Sequence, residues 1–159
     1  MNQPETEGET MAAAEGRAFL EVLSPIACVM HLRREDVGRV AVLVDGHPEI
    51  FPVNYAVDES GDIYFRTDPG SKLDAVATAP TIAFEIDGLD EERQSGWSVL
   101  AVGPARWLAG AEQLAHARTL SLQPWAAGAK ANVVRLSPTK VTGRRIYRPA
   151  QGNRRSPVV

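Results

Sequence analysis

Cationic and hydroxyl side chains cluster within seven residues near the middle of this sequence: Arg66, Thr67, Ser71 and Lys72. Asp68-Pro69-Gly70 predicts a turn between them, and Ser71 can cap a helix that begins near Lys72. A helix start presents unpaired N–H groups and a partial positive charge, to which Arg and Lys add donors of their own. The cluster therefore predicts a phosphate-binding site. The alternative is that Arg66 and Lys72 are solvated surface charges.

Three antiparallel strands are predicted to lead into this cluster. Val40–Val44 is an unbroken apolar run, typical of a strand that is covered on both faces. Asp45-Gly46 predicts a hairpin turn, and the next strand runs from about Glu49 to Val57. Because Pro52 cannot donate to a ladder, we expect this strand to lie at an edge or to be broken there. Ile63–Thr67 is the third strand. Alternation in the second strand places one set of side chains on a common face: Phe51, Val53, Tyr55 and Val57.

The rest of the chain adds helices and further strands. Helices are predicted over four segments: Met11–Leu23, Ser24–Leu32, Leu73–Thr78 and Ala109–Leu122. Strands are predicted over Thr81–Asp87, Gly96–Gly103 with an extension to Leu108, Asn132–Leu136 and Lys140–Tyr147, with an acidic loop over Gly88–Ser95. About seven strands with few helices favour a mainly β, α+β fold, in which helices pack around an antiparallel barrel.

Composition limits the class of protein. A chain of 159 residues predicts a single domain, which we place at residues 11–147, between a disordered segment (1–10) and a mobile basic tail (148–159). The net charge of −3 disfavours a nucleic-acid binder, and the single Cys28 excludes an intrachain disulfide. No signal peptide or long apolar run is present, so we expect a cytoplasmic protein without membrane contact.

Several other residues invite a chemical role, but a simpler interpretation fits each of them better. The three histidines, which are not at metal-ligand spacing, are interpreted as surface or loop residues: His31, His47 and His116. Cys28 is interpreted as a small core residue. Glu85 and Asp87 share one strand face and are expected to form hydrogen bonds or to face solvent. Trp97 and Trp107 fit a core or an interface as well as a cofactor site.

A series of short motifs resembles one known family. The motifs are Val37–Val42, Pro48–Tyr55, Phe65–Thr67, Gly70–Leu73, Ala83–Asp87, Gly96–Val99 and Val141–Arg145. In order and spacing they are similar to the pyridoxamine 5′-phosphate oxidase-like flavin-binding proteins, especially the actinobacterial branch with nitroimidazole-reductase-like members. The resemblance covers about Leu32 to Tyr147.

The resemblance implies a six-stranded antiparallel split β-barrel of the FMN-binding type. It also implies a homodimer with two FMN molecules between the subunits, and a small-molecule substrate. The residues it places along the flavin ring are Pro52, Val53, Asn54 and Tyr55, and those it places at the phosphate are Arg66, Thr67, Ser71 and Lys72. It implies further ring contacts from Trp97 and Ser98 of the other subunit, and from Trp125.

The cofactor and the reaction stay open at this point. No Gly-x-Gly-x-x-Gly run follows a strand, which disfavours a dinucleotide site of the Rossmann type. The C-terminal Arg and His pattern of true pyridoxamine phosphate oxidases is not found, so oxidation of vitamin B6 is not expected. The alternatives are a flavin-binding protein without turnover, a deazaflavin-dependent reductase and, with His47 as a ligand, a haem protein. No catalytic acid or base is identified.

Overall fold

The structure, a computed structural model, describes residues 18–67, 70, 76, 81–120, 122 and 132–148, without the side chains of residues 112 and 113. Its strands are β1 (Phe19–Val22), β2 (Val37–Val44), β3 (His47–Val57), β4 (Ile63–Thr67), β5 (Ile82–Asp90), β6 (Ser95–Gly103), β7 (Ala105–Leu108), β8 (Asn132–Leu136) and β9 (Lys140–Tyr147). Its helices are α1 (Pro25–Arg34) and α2 (Ala111–Thr119).

The strands form one antiparallel sheet that closes on itself. Their order is β1-β9-β6-β5-β2-β3-β4-β8-β7. β6 and β7 follow each other as one bent line of strand that is interrupted at Pro104, and β8 and β9 form a second bent line that is interrupted at Pro138. Because β6 pairs with β9 and β7 pairs with β8, the two bent lines stay paired on both sides of these interruptions. With β2, β3, β4 and β5 they form a six-stranded barrel, which confirms the predicted split β-barrel fold.

The corner where the two bent lines cross is tightly packed. The Ser137 N–H donates to the Pro104 carbonyl at 2.9 Å, and the Thr139 N–H donates to the Val102 carbonyl at 2.9 Å. A methyl group added at Gly103 would lie 2.1 Å from the Ser137 carbonyl oxygen. Only glycine at position 103 therefore allows these two segments of the chain to approach so closely.

Replacing Gly103 by Ala should destabilise the barrel by roughly 2–3 kcal/mol, because the added methyl group must push the corner apart. Urea unfolding measures the loss. Val102→Ala, one residue earlier on a half-buried side chain, is the matched control and should cost roughly 1 kcal/mol. Equal losses in the two variants would contradict the role assigned to Gly103.

The barrel interior is filled by side chains from every wall. The largest fully buried ones are Phe84, Ile63, Ile86, Leu136, Val99, Val134 and Cys28. Each such burial contributes roughly 1.5–3 kcal/mol relative to an exposed side chain. The predicted common face of β3 is confirmed, and it faces inward, since Phe51, Val53, Tyr55 and Val57 all belong to or pack on this core.

Helix α1 packs against the barrel and is joined to it by a tyrosine. Ser24 caps the helix by accepting the Ala27 N–H at 3.2 Å, and Pro25 occupies its first turn, as the sequence predicts. The Tyr55 hydroxyl donates to the Leu32 carbonyl at 2.8 Å. Burial raises the pKa of Tyr55, so that it remains a protonated donor.

A buried carboxylate joins the second helix to the barrel. Asp58, which follows β3, is 7% exposed. Its oxygens accept the Asp62 N–H and the Tyr64 hydroxyl, both at 3.0 Å, and lie 3.4 Å from Nε2 of His116 on α2. Burial raises the pKa of Asp58, but these hydrogen bonds outweigh it, and the net pKa is lowered. The carboxylate is therefore stabilised in its charged form.

The lowered pKa of Asp58 makes stability depend on pH. Because the pKa of Asp58 is lower in the folded state than in the unfolded state, where it is near 3.8, the ionised carboxylate stabilises the fold above the unfolded-state pKa. This stabilisation is lost as the pH falls through the folded-state pKa. The unfolding free energy should therefore fall more between about pH 4 and pH 2 in the wild type than in Asp58→Asn, as measured by urea titration at each pH. Tyr64→Phe should give an intermediate slope. Identical slopes in wild type and Asp58→Asn would contradict this assignment.

Some predicted elements need correction. The helix predicted over Met11–Leu23 is wrong at Phe19–Val22, which is strand β1. Pairing with the edge of β9, with Phe19 stacked on Tyr147 at 5.9 Å, outweighs the helical pattern. The loop predicted over Gly88–Ser95 shortens to a four-residue turn, because the β5–β6 ladder continues to the pair Asp90 and Ser95. The predicted helix Leu73–Thr78 lies outside the described residues except for Val76.

Candidate functional site

One edge of β3 is left open beside the barrel. The Tyr55 N–H donates to the Asp36 carbonyl at 3.1 Å, on the side of β3 that pairs with β2. Because backbone groups alternate along a strand, the odd-numbered residues of β3 direct their N–H and C=O groups toward β2, and the even-numbered residues direct theirs toward the opposite edge. In the described ranges no strand pairs with that opposite edge before Tyr55, where β4 begins to pair. Pro48 and Pro52 both face the open edge and have no N–H. The edge therefore presents the Ile50 N–H between two prolines, together with backbone carbonyls.

The four residues predicted to line a flavin ring divide between the two faces of β3. Val53 and Tyr55 are buried in the barrel core, so only their backbone can reach a ligand outside the barrel. Pro52 and Asn54 have side chains on the outer face. The Asn54 amide Nδ2 donates to the Asp36 carbonyl at 3.4 Å. A planar ligand along this edge would meet a proline ring, an amide and backbone polar groups.

A half-buried arginine lies at the end of the open edge. Since Tyr55 pairs with Phe65, the register places Arg66 opposite Asn54, at the point where the β3–β4 pairing ends. The Arg66 Nε is buried and has no hydrogen-bond partner among the described residues. An unsatisfied buried donor costs about 1–3 kcal/mol, and a phosphate oxygen is the acceptor that arginine binds best.

Of the other predicted phosphate ligands, only Thr67 belongs to the described residues. Thr67 is 6% exposed, and its side chain lines the barrel interior beside Val53, on the face opposite to Arg66. Ser71 and Lys72 lie outside the described residues, as does Trp125.

Trp97 and Ser98 occupy opposite faces of β6. The Trp97 indole stacks on the His31 imidazole, with ring centroids 3.9 Å apart, and covers Gly88. Ser98 is exposed on the outer face, between Asp87 on β5 and Arg144 on β9. Strands β5 and β2 separate β6 from β3, so these residues lie roughly 14 Å from the open edge of the same chain. A single chain does not bring the two predicted halves of the site together.

Two cavities adjoin Trp97. The first, of about 680 Å³, is an apolar groove with acidic groups on the outer sheet face, lined by Leu20, Glu85, Asp87, Leu89, Asp90, Glu91, Gln94, Ser95, Gly96, Trp97, Ser98, Arg144 and Ile146. The second, of about 710 Å³, lies between β1, α1 and the β5–β6 turn and includes His31, Glu35 and Arg145. Burial, with Arg34 and Arg145, lowers the pKa of His31 against the opposing effect of Glu35, and this favours the neutral imidazole.

The carboxylate pair on β5 has a structural partner. Arg39 on β2 binds both Asp87 and Glu85, the latter at 2.9 Å. Hydrogen bonds from Asp87 and then Glu85 raise the pKa of Arg39. The pair is therefore engaged in hydrogen bonds, as predicted.

Sequence reasoning missed three features of this region. Arg39, the His31–Trp97 stack and the His116–Asp58 contact all join residues that are far apart in the sequence. The interpretation of the histidines as surface or loop residues holds for exposed His47 at the start of β3 and for His116, whose side chain is 51% exposed on α2. His31 is half-buried on α1 and stacks on Trp97. The three contacts depend on strand register and helix placement, which no local pattern reveals.

No group of His, Cys, Asp and Glu side chains suited to a metal ion occurs in the described part of the chain. Within the same residues, neither helix has the length and apolar character needed to cross a membrane.

A barrel with an open strand edge, and with an arginine whose buried Nε has no partner among the described residues, defines a split-barrel protein with a candidate anion site. Residues 24–145 match the pyridoxamine 5′-phosphate oxidase family. This chain belongs to that family.

Individual relatives agree with this assignment. An uncharacterised protein of Mycobacterium tuberculosis is 36% identical over 116 residues, which cover 70% of this chain and 75% of the relative. The solved structure of an FAD-binding protein from Mycobacterium smegmatis is 37% identical, with a TM-score of 0.69 over 81% of this chain and 100% of that one. An FAD-binding protein from Mesorhizobium loti shares the fold, with a TM-score of 0.68 and 23% identity over 80% of this chain and 98% of that one.

The unpaired Arg66 Nε predicts an unusual response to substitution. Without a ligand, Arg66→Met should be at least as stable as the wild type, because it replaces an unsatisfied buried donor with an apolar side chain of similar length. Added FMN should raise the melting temperature of the wild type but not that of the variant, by thermal unfolding with and without FMN. Equal FMN stabilisation of both proteins would show that Arg66 does not bind the phosphate.

Proposed function

We propose that this protein is a flavin-dependent oxidoreductase that acts on a small molecule, with its flavin bound along the open edge of β3. The observation that carries the proposal is the position of Arg66, whose buried Nε lacks a partner among the described residues at the end of that edge. An apolar slot, a few backbone polar groups and an anion site together are what a flavin nucleotide needs.

Each part of the edge has a role in this proposal. The Ile50 N–H and the neighbouring carbonyls face the polar side of the ring, and the Asn54 amide lies beside them. Arg66, helped by Ser71 and Lys72, holds the phosphate, while Thr67 supports the strand from the interior. The bound flavin would supply the electron transfer, and the protein would orient it and exclude water.

A second copy of the chain completes the site in this proposal. The outer sheet face exposes large apolar side chains, among them Ile50 at 66%, Leu43 at 61% and Leu20 at 62%. Such a face favours contact with a partner, and a two-fold dimer would bring Trp97, Ser98 and Trp125 of one subunit toward the β3 edge of the other.

Sedimentation at micromolar concentration tests the dimer, and Ile50→Asp should weaken it. A monomeric wild type would contradict the dimer.

The flavin is either FMN or FAD. The family resemblance implies FMN, whereas the similarity to the FAD-binding protein of M. smegmatis favours FAD. A deazaflavin coenzyme, haem and a flavin protein without turnover stay as alternatives, and a cytoplasmic location stays a prediction. The visible spectrum of the freshly purified protein, with mass analysis of what denaturation releases, separates the cofactors. Reduction of bound flavin by a pyridine nucleotide or deazaflavin donor separates an enzyme from a carrier.

Removing both cations of the predicted phosphate site should abolish flavin retention. Arg66→Ala with Lys72→Ala is expected to lower FMN affinity at least 100-fold, since two charge-assisted contacts worth roughly 1.5–3 kcal/mol each are lost. Fluorescence titration measures the FMN affinity. Arg118→Ala with Lys140→Ala is the matched control, because it removes the same charges from exposed positions on α2 and β9. FMN affinity that is unchanged in the first double variant would refute the phosphate assignment.

A further inference from the structure

Helix α2 has few means of holding its place on the barrel. It is nine residues long, and its N-cap residue is Gly110, which provides no side-chain cap. A helix of this length is marginal without tertiary contacts. Its described apolar contacts include Ala117, which is 2% exposed, and the partly buried Leu114. A specific contact to the barrel is therefore needed to fix its position.

His116, whose side chain is 51% exposed, contacts Asp58 and joins α2 to the barrel. Asp58 is held rigidly from the barrel side by the Asp62 N–H and the Tyr64 hydroxyl, while Arg33 of α1 donates to its carbonyl at 3.2 Å. From α2, His116 Nε2 reaches the same carboxylate at 3.4 Å, and its ring packs edge-on to Tyr64 with centroids 5.6 Å apart. The imidazole thus meets a fixed acceptor and a fixed aromatic ring.

The surface that α2 covers borders the candidate anion site. Tyr64 and Val133 belong to the small apolar cluster beneath α2. Tyr64 lies two residues before Arg66 on the same face of β4, and Val133 pairs directly with Arg66 across the β4–β8 ladder. The helix therefore covers two of the immediate neighbours of Arg66, whose Nε is itself buried.

We propose that His116 is a positioning residue for the flavin phosphate. By fixing α2 to Asp58 and Tyr64, it keeps the surroundings of Arg66 closed and the guanidinium group directed toward the ligand. The inference rests on the proposed function for its ligand, but the fixation of α2 is independent of any ligand.

Comparison of FMN with riboflavin, which lacks the phosphate, isolates this role. His116→Ala should lower FMN affinity about tenfold while changing riboflavin affinity by less than about twofold, because only the phosphate contact depends on Arg66. His116→Gln, which can still donate to Asp58, should recover most of the loss. Arg118→Ala, on an exposed residue of the same helix, should behave as the wild type. Fluorescence titration of the full-length protein provides the affinities for FMN and for riboflavin.

Hydrogen exchange provides a second readout that needs no cofactor. His116→Ala should speed exchange of the α2 amides at least tenfold relative to wild type, whereas His116→Gln and Arg118→Ala should not. Equal losses of FMN and riboflavin affinity in His116→Ala would overturn the positioning role, as would unchanged FMN affinity or unchanged exchange of α2. If the wild type binds neither compound, the proposed function fails, and α2 exchange still decides whether His116 fixes the helix.

Discussion

Closure of the barrel at one corner is the constraint on which the rest of the structure depends. Two bent strand lines, β6–β7 and β8–β9, stay paired across Pro104 and Pro138 only because Gly103 lets the chains approach closely. The closure makes two differently oriented ladders share one core, in which Phe84 and Val99 are completely buried. Without it, strand pairing would join β4, β8 and β7 to the larger part of the sheet only through the short β3–β4 ladder, which also holds Arg66 in position.

The candidate site follows from how β3 serves both parts of the barrel. Its first residues pair with β2, its last ones pair with β4, and between the two ladders one edge stays open. Arg66, with its buried Nε, lies at the end of this edge because the pairing of Tyr55 with Phe65 places it there. Helix α2, joined to Asp58 through His116, covers the neighbouring surface. Site and scaffold are thus built from the same strand pairings.

Local patterns in the sequence predicted most of the scaffold. Ile63–Thr67 and Lys140–Tyr147 are strands with the predicted bounds, and Asp45-Gly46 forms the predicted hairpin, with both residues at positive φ. The strand at Phe19 was missed, because pairing with a distant edge decided its conformation. The residues near Arg66 in the sequence identified it as a candidate ligand. They could not predict that its Nε lacks a partner among the described residues, nor the Asp58–His116 contact, because burial and contacts between distant residues arise only when the chain is folded.

The two prolines of β3 have a consequence beyond the binding of a ligand. An exposed strand edge is a template on which another chain can add a strand, and a regular ladder requires a donor at every second residue. Pro48 and Pro52 remove the donors on either side of the Ile50 N–H, so that edge has no continuous row of donors. The edge can therefore stay uncovered, ready for a small planar molecule, without seeding intermolecular sheets, and this protection persists whether or not a ligand is bound.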